Sequence, residues 1–341
     1  MKHYFVLPNN RALPSGGNLY NQYLIEALIE KGATVEILDF TVFKNHYEQE
    51  IEGIYWLDTL FMEDLHFLKK STSDKIQFWL LTHFLQSLQP NEGQSATALF
   101  QQEHKVLQYL DGFLVPSPFM AEYLEDKGLE QEKLILPPPS PSKEEIIIQS
   151  VPLFGRLEGL KGLIVANLIE CKGVLPFLQA LSKYSTTNYT LTIVGRTDIE
   201  PDYTQQCYKL VESHPILKQT VMIHGTIPHQ KTLELYQTHH CFISPSFMET
   251  YGMAIQEANT YQLPVLGLNR GNVPFHIEEG VNGKLLDTSE ALAKAFMEWV
   301  EDEQVFDRFQ KGASTRKIDE FYTWRIVAEK LLKKFEIKTD R

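Results

Sequence analysis

The chain has 341 residues, 43% of them apolar and 22% charged, with a formal charge of −12 at neutral pH. That length favours two domains over one, and the acidic balance argues against a nucleic-acid partner and against broad adsorption to anionic lipid, leaving room only for local, peripheral membrane contact. Residues 1–8 form too short an apolar run for a signal peptide and no run nears the ~20 residues of a membrane span. Cys171, Cys207 and Cys241 are an odd, scattered set, so reduced thiols and a cytoplasmic location are expected.

Residues 4–7 read as a first strand, followed by a loop over 8–17 and a helix over 18–31 with Leu19, Tyr23, Leu24, Ala27 and Leu28 on one face. Gly32 stops that helix and a second strand follows over 34–38, a βαβ opening. Further strands are expected over 54–57, 78–81 and 112–115, each followed by helical sequence. Leu136-Pro-Pro-Pro-Ser-Pro-Ser142 can neither pair centrally nor continue a helix and marks the approach to a linker. A second alternation follows, with strands over 162–166, 189–194, 220–224, 241–243 and 263–267 and a helix over 174–181. Such alternation means an α/β protein with parallel sheets covered on both faces. The domains are expected at 1–150 and 151–322. A terminal helix over 322–335 could cap the second domain or cross back to the first.

The stretch Ser244-Pro-Ser-Phe-Met-Glu249-Thr250-Tyr251-Gly252-Met253-Ala-Ile-Gln-Glu257-Ala-Asn259 runs from a buried strand into a helix starting near Gly252. Glu249 falls in the loop above the strand's carboxyl end, and Glu257 roughly one and a half turns into the helix. The helix tip directs free N–H groups and partial positive charge at one spot, which suits a phosphate. Carboxylates accept from vicinal hydroxyls, as a sugar or ribose offers. Gly271-Asn-Val-Pro274 and Glu278-Glu-Gly280-Val-Asn-Gly283 follow in order.

Residues 244–286 resemble the signature region of retaining, nucleotide-sugar-dependent glycosyltransferases of family 4 (glycosyl transferases group 1), and a weaker likeness covers nearly the whole chain. The resemblance implies a GT-B architecture: two Rossmann-like, doubly wound domains facing across a cleft. It makes Glu249, with the backbone of Thr250 to Met253, the donor-sugar and phosphate site, and gives Glu257 the ribose.

Other candidates sit at strand ends, where open α/β sheets bind ligands. Gly16 and Gly17 leave the backbone bare after the first strand; the pair is also an ordinary turn, and the resemblance places a glycine-rich loop there, facing the donor phosphates and acceptor. His83 resembles the family histidine that reaches the donor sugar, and Ser117 the family serine after the next strand. Lys172 matches the lysine that neutralises the diphosphate. Asn167 stands where the family usually has arginine, and Arg196 is the candidate for the missing charge. Gly225 and Thr226 correspond to backbone that meets the nucleotide base. His239 and His240 are adjacent, point opposite ways on extended chain, and lack a third ligand; no metal or other cofactor is expected.

The activity implied is retaining, metal-independent transfer from a UDP- or GDP-sugar to a small-molecule, glycan or lipid acceptor, by front-face attack. A nucleotide-sugar epimerase or a non-catalytic sugar-nucleotide-binding subunit of the same fold are the alternatives. A glycan phosphorylase is disfavoured by the lack of a recognisable lysine setting for pyridoxal phosphate.

Overall fold

The computed structural model describes residues 1–8, 15–71, 73–90, 93–140, 159–315 and 322–336. The chain divides into two units, Met1–Pro139 with Phe321–Arg341, and Ser140–Glu320. The linker residues 141–142 and the boundary expected at 150/151 fall outside the described residues.

The first unit carries β1 (His3–Val6), β2 (Val35–Leu38), β3 (Gly53–Asp58), β4 (Ile76–Leu81), β5 (Gly112–Val115) and β6 (Glu132–Ile135), all parallel in the order β2-β1-β3-β4-β5-β6. Its central strands are continuous apolar runs because both faces are covered. Val6, Tyr55, Leu57, Phe78 and Leu80 enter one core, while the alternating Phe5, Ile54, Trp56, Trp79 and Leu81 enter the core on the other face.

Helix Gly16–Glu30 lies on that second face and buries Tyr20, Asn21, Leu24, Ile25, Ala27 and Leu28. Leu19 and Tyr23, expected on the buried stripe, are only half-buried. The helix starts two residues earlier than its apolar spacing predicts, because Ser15 caps it by accepting from the Asn18 amide at 3.1 Å. Its buried stripe then includes a polar residue, Asn21. Helix Trp324–Glu336 packs Val327, Ala328, Leu331 and Phe335 into the same core, and Lys31 pairs with Glu329.

The second unit carries β7 (Leu160–Val165), β8 (Tyr189–Val194), β9 (Val221–His224), β10 (Cys241–Ser244), β11 (Val265–Leu268) and β12 (Gly283–Leu286), parallel in the order β12-β11-β10-β7-β8-β9. This is the doubly wound order of a dinucleotide-binding fold. The direction of winding reverses between β7 and β10, and in the first sheet between β1 and β3. Chains leaving neighbouring strands diverge there, opening a crevice at the carboxyl ends. Among the described residues no helix is long and apolar enough to cross a membrane.

Candidate active site

At the second unit's switch point two loops are locked together by backbone. After β7 the chain makes a 3-10 turn over Glu170–Lys172 and enters helix Val174–Leu181 through Gly173, at φ 64°. After β10, residues 245–251 lead to Gly252, at φ 95°, and helix Met253–Thr260. The Phe247 amide donates to the Cys171 carbonyl at 2.9 Å. Gly173 lies so close that a Cβ there would stand 2.1 Å from the Pro245 carbonyl oxygen. This contact brings Lys172 and Glu249 together across 77 residues of sequence: Lys172 Nζ donates to Glu249 Oε1 at 2.7 Å, with side chains 23% and 17% exposed. Burial works against the ammonium charge, but the Glu249 carboxylate outweighs it, and the lysine pKa is raised overall.

The turn carrying Glu249 is clamped from the loop after β11. Asn272 donates its backbone N–H to the Glu249 carbonyl at 2.7 Å and its side-chain amide to the Tyr251 carbonyl at 2.8 Å, which His276 Nε2 also reaches at 2.5 Å. Gly271, at φ 55°, permits the approach, since a Cβ there would lie 2.3 Å from the Glu249 oxygen. Asn282 in turn donates to Asn259 Oδ1 at 3.0 Å and accepts from the Glu278 amide at 2.6 Å. The residues after the glutamates that complete the sequence signature thus serve as scaffold for the turn. Gly252 offers the helix no side-chain cap, so the cap residue supplies no acceptor for its first amides.

Glu257 is 7% exposed. Its Oε1 lies 2.9 Å from His229 Nε2, and the Tyr236 phenol, pushed up by burial and by this carboxylate, borders it. His229 opens helix His229–Thr238 just after Gly225 and Thr226, so the loop after β9 meets the glutamate helix here. Sequence reasoning missed His229 and Tyr236; the one available signal was a histidine four residues beyond a glycine at a strand's end. Thr226 is exposed and Gly225 half-buried near Thr197. Asn167 Oδ1 accepts from the Arg196 amide at 3.1 Å, while the Arg196 guanidinium makes two bonds, 3.0 and 2.8 Å, to the exposed Asp198. Asn167 therefore joins the ends of β7 and β8, and the Arg196 guanidinium is held by Asp198.

In the first unit, His83 follows β4 and its ring packs against Gly17, where a Cβ would lie 3.2 Å from Cγ and Cδ2. Gly16 is the exposed first residue of the helix. His83 Nε2 is 2.8 Å from Asn21 Oδ1, a partner not anticipated from sequence. Ser117 is fully buried and caps helix Pro118–Asp126 by accepting from Met120 N at 3.2 Å. His239 bonds Leu235 O and Thr192 Oγ1, each at 2.8 Å, and His240 accepts from the Lys161 amide at 3.0 Å. Among the described residues no group of three or more His, Cys, Asp or Glu could hold a metal ion.

Residues 157–316 match the model of the family "Glycosyl transferases group 1". This stretch, just under half of the chain, is similar to a glycosyl transferases group 1 domain. Its Lys172, Glu249 and Glu257 all lie within the matched residues. A curated relative, a sucrose synthase of Melioribacter roseus, is 24% identical over 203 residues, covering 54% of this chain and 24% of that protein. The match thus spans about a quarter of that relative's length. Among solved structures, a sucrose-phosphate synthase from Thermosynechococcus elongatus aligns at a TM-score of 0.77 and 16% identity, covering 99% of both chains. HepE of Anabaena in complex with UDP and glucose aligns at 0.71 and 16%, over 99% and 100%. The two units therefore have the GT-B fold of these structures.

Proposed function

We propose that the protein is a retaining, metal-independent glycosyltransferase that moves a sugar from a nucleoside diphosphate sugar to an acceptor hydroxyl. The observation that carries this reading is the Lys172–Glu249 pair at the switch point, 2.7 Å apart, beside the uncapped tip of helix Met253–Thr260 that also bears Glu257. A lysine ammonium has three N–H donors, so Lys172 can keep Glu249 and still meet a diphosphate oxygen. Its raised pKa keeps it charged at neutral pH. The amides of the helix tip add partial positive charge at the same place. Glu257, oriented by His229, takes the ribose diol, and the second oxygen of Glu249 takes a donor-sugar hydroxyl.

In the transfer step the bond between the anomeric carbon and the diphosphate oxygen breaks. The acceptor oxygen bonds to that carbon on the same face and gives its proton to the departing phosphate. Stabilising the developing phosphate charge is the main electrostatic demand, and Lys172 with the helix tip meets it without a divalent ion. UDP is the nucleotide favoured first, because the HepE neighbour was solved with it. A thermal-shift screen of UDP- and GDP-sugars tests the reading: one donor class should raise the midpoint and then release its nucleotide diphosphate when acceptors are added, with excess chelator present. No stabilisation by any sugar nucleotide would overturn it. Incubation with labelled donor alone separates transfer from epimerisation.

A further inference from the structure

The first unit contains a buried polar chain that ends on His83. Asp58, the last residue of β3, is 2% exposed, so its oxygens must be supplied with donors. Oδ1 accepts from the Leu60 amide at 2.9 Å and Oδ2 from Asn21 Nδ2 at 3.0 Å. The NH2 end of the Asn21 amide is thereby pinned toward Asp58, since the flipped amide would set an oxygen against a carboxylate. The other end, Oδ1, then faces His83 Nε2 at 2.8 Å. An amide oxygen only accepts, so Nε2 must carry the hydrogen. The ring cannot turn freely: Tyr20 packs its edge at 5.4 Å between centroids, and Gly17 lies on another side. Burial lowers the His83 pKa more than the Asp58 charge raises it, which favours the neutral ring with one N–H. Nδ1 has no hydrogen-bond partner among the described residues.

We infer that Asn21 and Asp58 are positioning residues that fix the tautomer of His83, so that its Nδ1 is presented as a hydrogen-bond acceptor to a hydroxyl of the carbohydrate substrate. The identity of that hydroxyl-bearing ligand rests on the glycosyl-transfer reading; the tautomer does not.

The test is a long-range proton–nitrogen correlation spectrum of the full chain labelled with 15N-histidine, His83 being assigned by the signals lost in His83→Gln. The wild type should show a protonated, pyrrole-type Nε2 and a bare, pyridine-type Nδ1. Asp58→Asn removes the preference for one orientation of the Asn21 amide, and the two nitrogen signals should move toward each other as the tautomers mix. A proton on Nδ1 in the wild type, or an unchanged spectrum in Asp58→Asn, overturns the inference. Should Asp58→Asn not fold, the wild-type spectrum alone decides. With an identified donor, Asp58→Asn should lower turnover roughly five- to tenfold, the worth of one neutral hydrogen bond, and leave UDP or GDP affinity unchanged. Affinity falling in step with turnover would mark a merely structural role and overturn it too. A correct tautomer in a chain that transfers no sugar would instead count against the proposed function.

Discussion

The two switch points of this molecule solve the same geometric problem by different means. In the second unit the candidate side chains are charged, and backbone holds them: two left-handed glycines, Gly173 and Gly271, let carbonyls approach to where their Cβ atoms would be, and amides bond across the loops. In the first unit the presented group is a neutral imidazole held by side chains, Asn21 and Asp58. The difference teaches where each site is fragile. A backbone clamp fails when a side chain is added, whereas a side-chain relay fails when a hydrogen-bond acceptor is exchanged for a donor.

The largest expected effect follows from that contrast. Gly173→Ala places a methyl 2.1 Å from a carbonyl oxygen at a positive φ, and should destabilise the protein by about 2–5 kcal/mol in denaturant unfolding. A loss below 1 kcal/mol (roughly) would mean the loops are not clamped as described. Next, Lys172→Ala should cut turnover on the order of 100-fold, comparable to removing a main electrostatic stabiliser; a rate within a factor of two (about) would remove it from the chemistry. Its stability contribution has a defined sign with pH. The folded-state pKa lies above the ordinary 10.5, so the contribution is fully present below that value and lost only as pH rises through the folded value. The difference in melting temperature between wild type and Lys172→Ala should therefore contain no step from this lysine between pH 6 and 9 (roughly).

Smaller effects sharpen the comparison. Asn167→Arg places an arginine where the resembled family usually has one, and so adds the charge that Asn167 lacks. The structure adds a cost of about 1 kcal/mol, because the Asn167 oxygen that joins β7 to β8 is lost. Turnover should rise while the melting temperature falls; a fall in both would show that the charge is not needed. Gly17→Ala should cost under about 1 kcal/mol, since its Cβ would meet a side-chain ring at 3.2 Å and not a carbonyl. The His83 signals should shift nonetheless, and unperturbed signals would contradict the packing.

Most strands were legible because parallel strands covered on both faces are continuous apolar runs, and 112–115 and 189–194 coincide with β5 and β8. Of the four edge strands, β2 and β9 were expected at 34–38 and 220–224, while β6 (EKLI) and β12 (GKLL) were not, each carrying a lysine that breaks its apolar run. In the site, Lys172 and Glu249 were readable as strand-end residues, but their pairing was not. It depends on the Phe247–Cys171 backbone bond and on Gly173, which leave no side-chain trace. Asn21 and Asp58 were overlooked for a different reason. Each is a single polar residue in an apolar element, and only the register of helix Gly16–Glu30 shows that Asn21 is turned inward. A polar residue three positions ahead of Leu24 on the buried stripe was the available clue.

The central claim is that the second unit holds a nucleoside diphosphate through the helix that bears Glu257. Calorimetric titration of UDP and GDP into the wild type and Glu257→Ala tests it most directly. One nucleotide should bind the wild type, and the variant should lose roughly 10- to 100-fold in affinity, the value of charge-assisted hydrogen bonds, with its melting temperature held within a few degrees, roughly, of the wild type. Equal affinity in the two proteins would contradict the account.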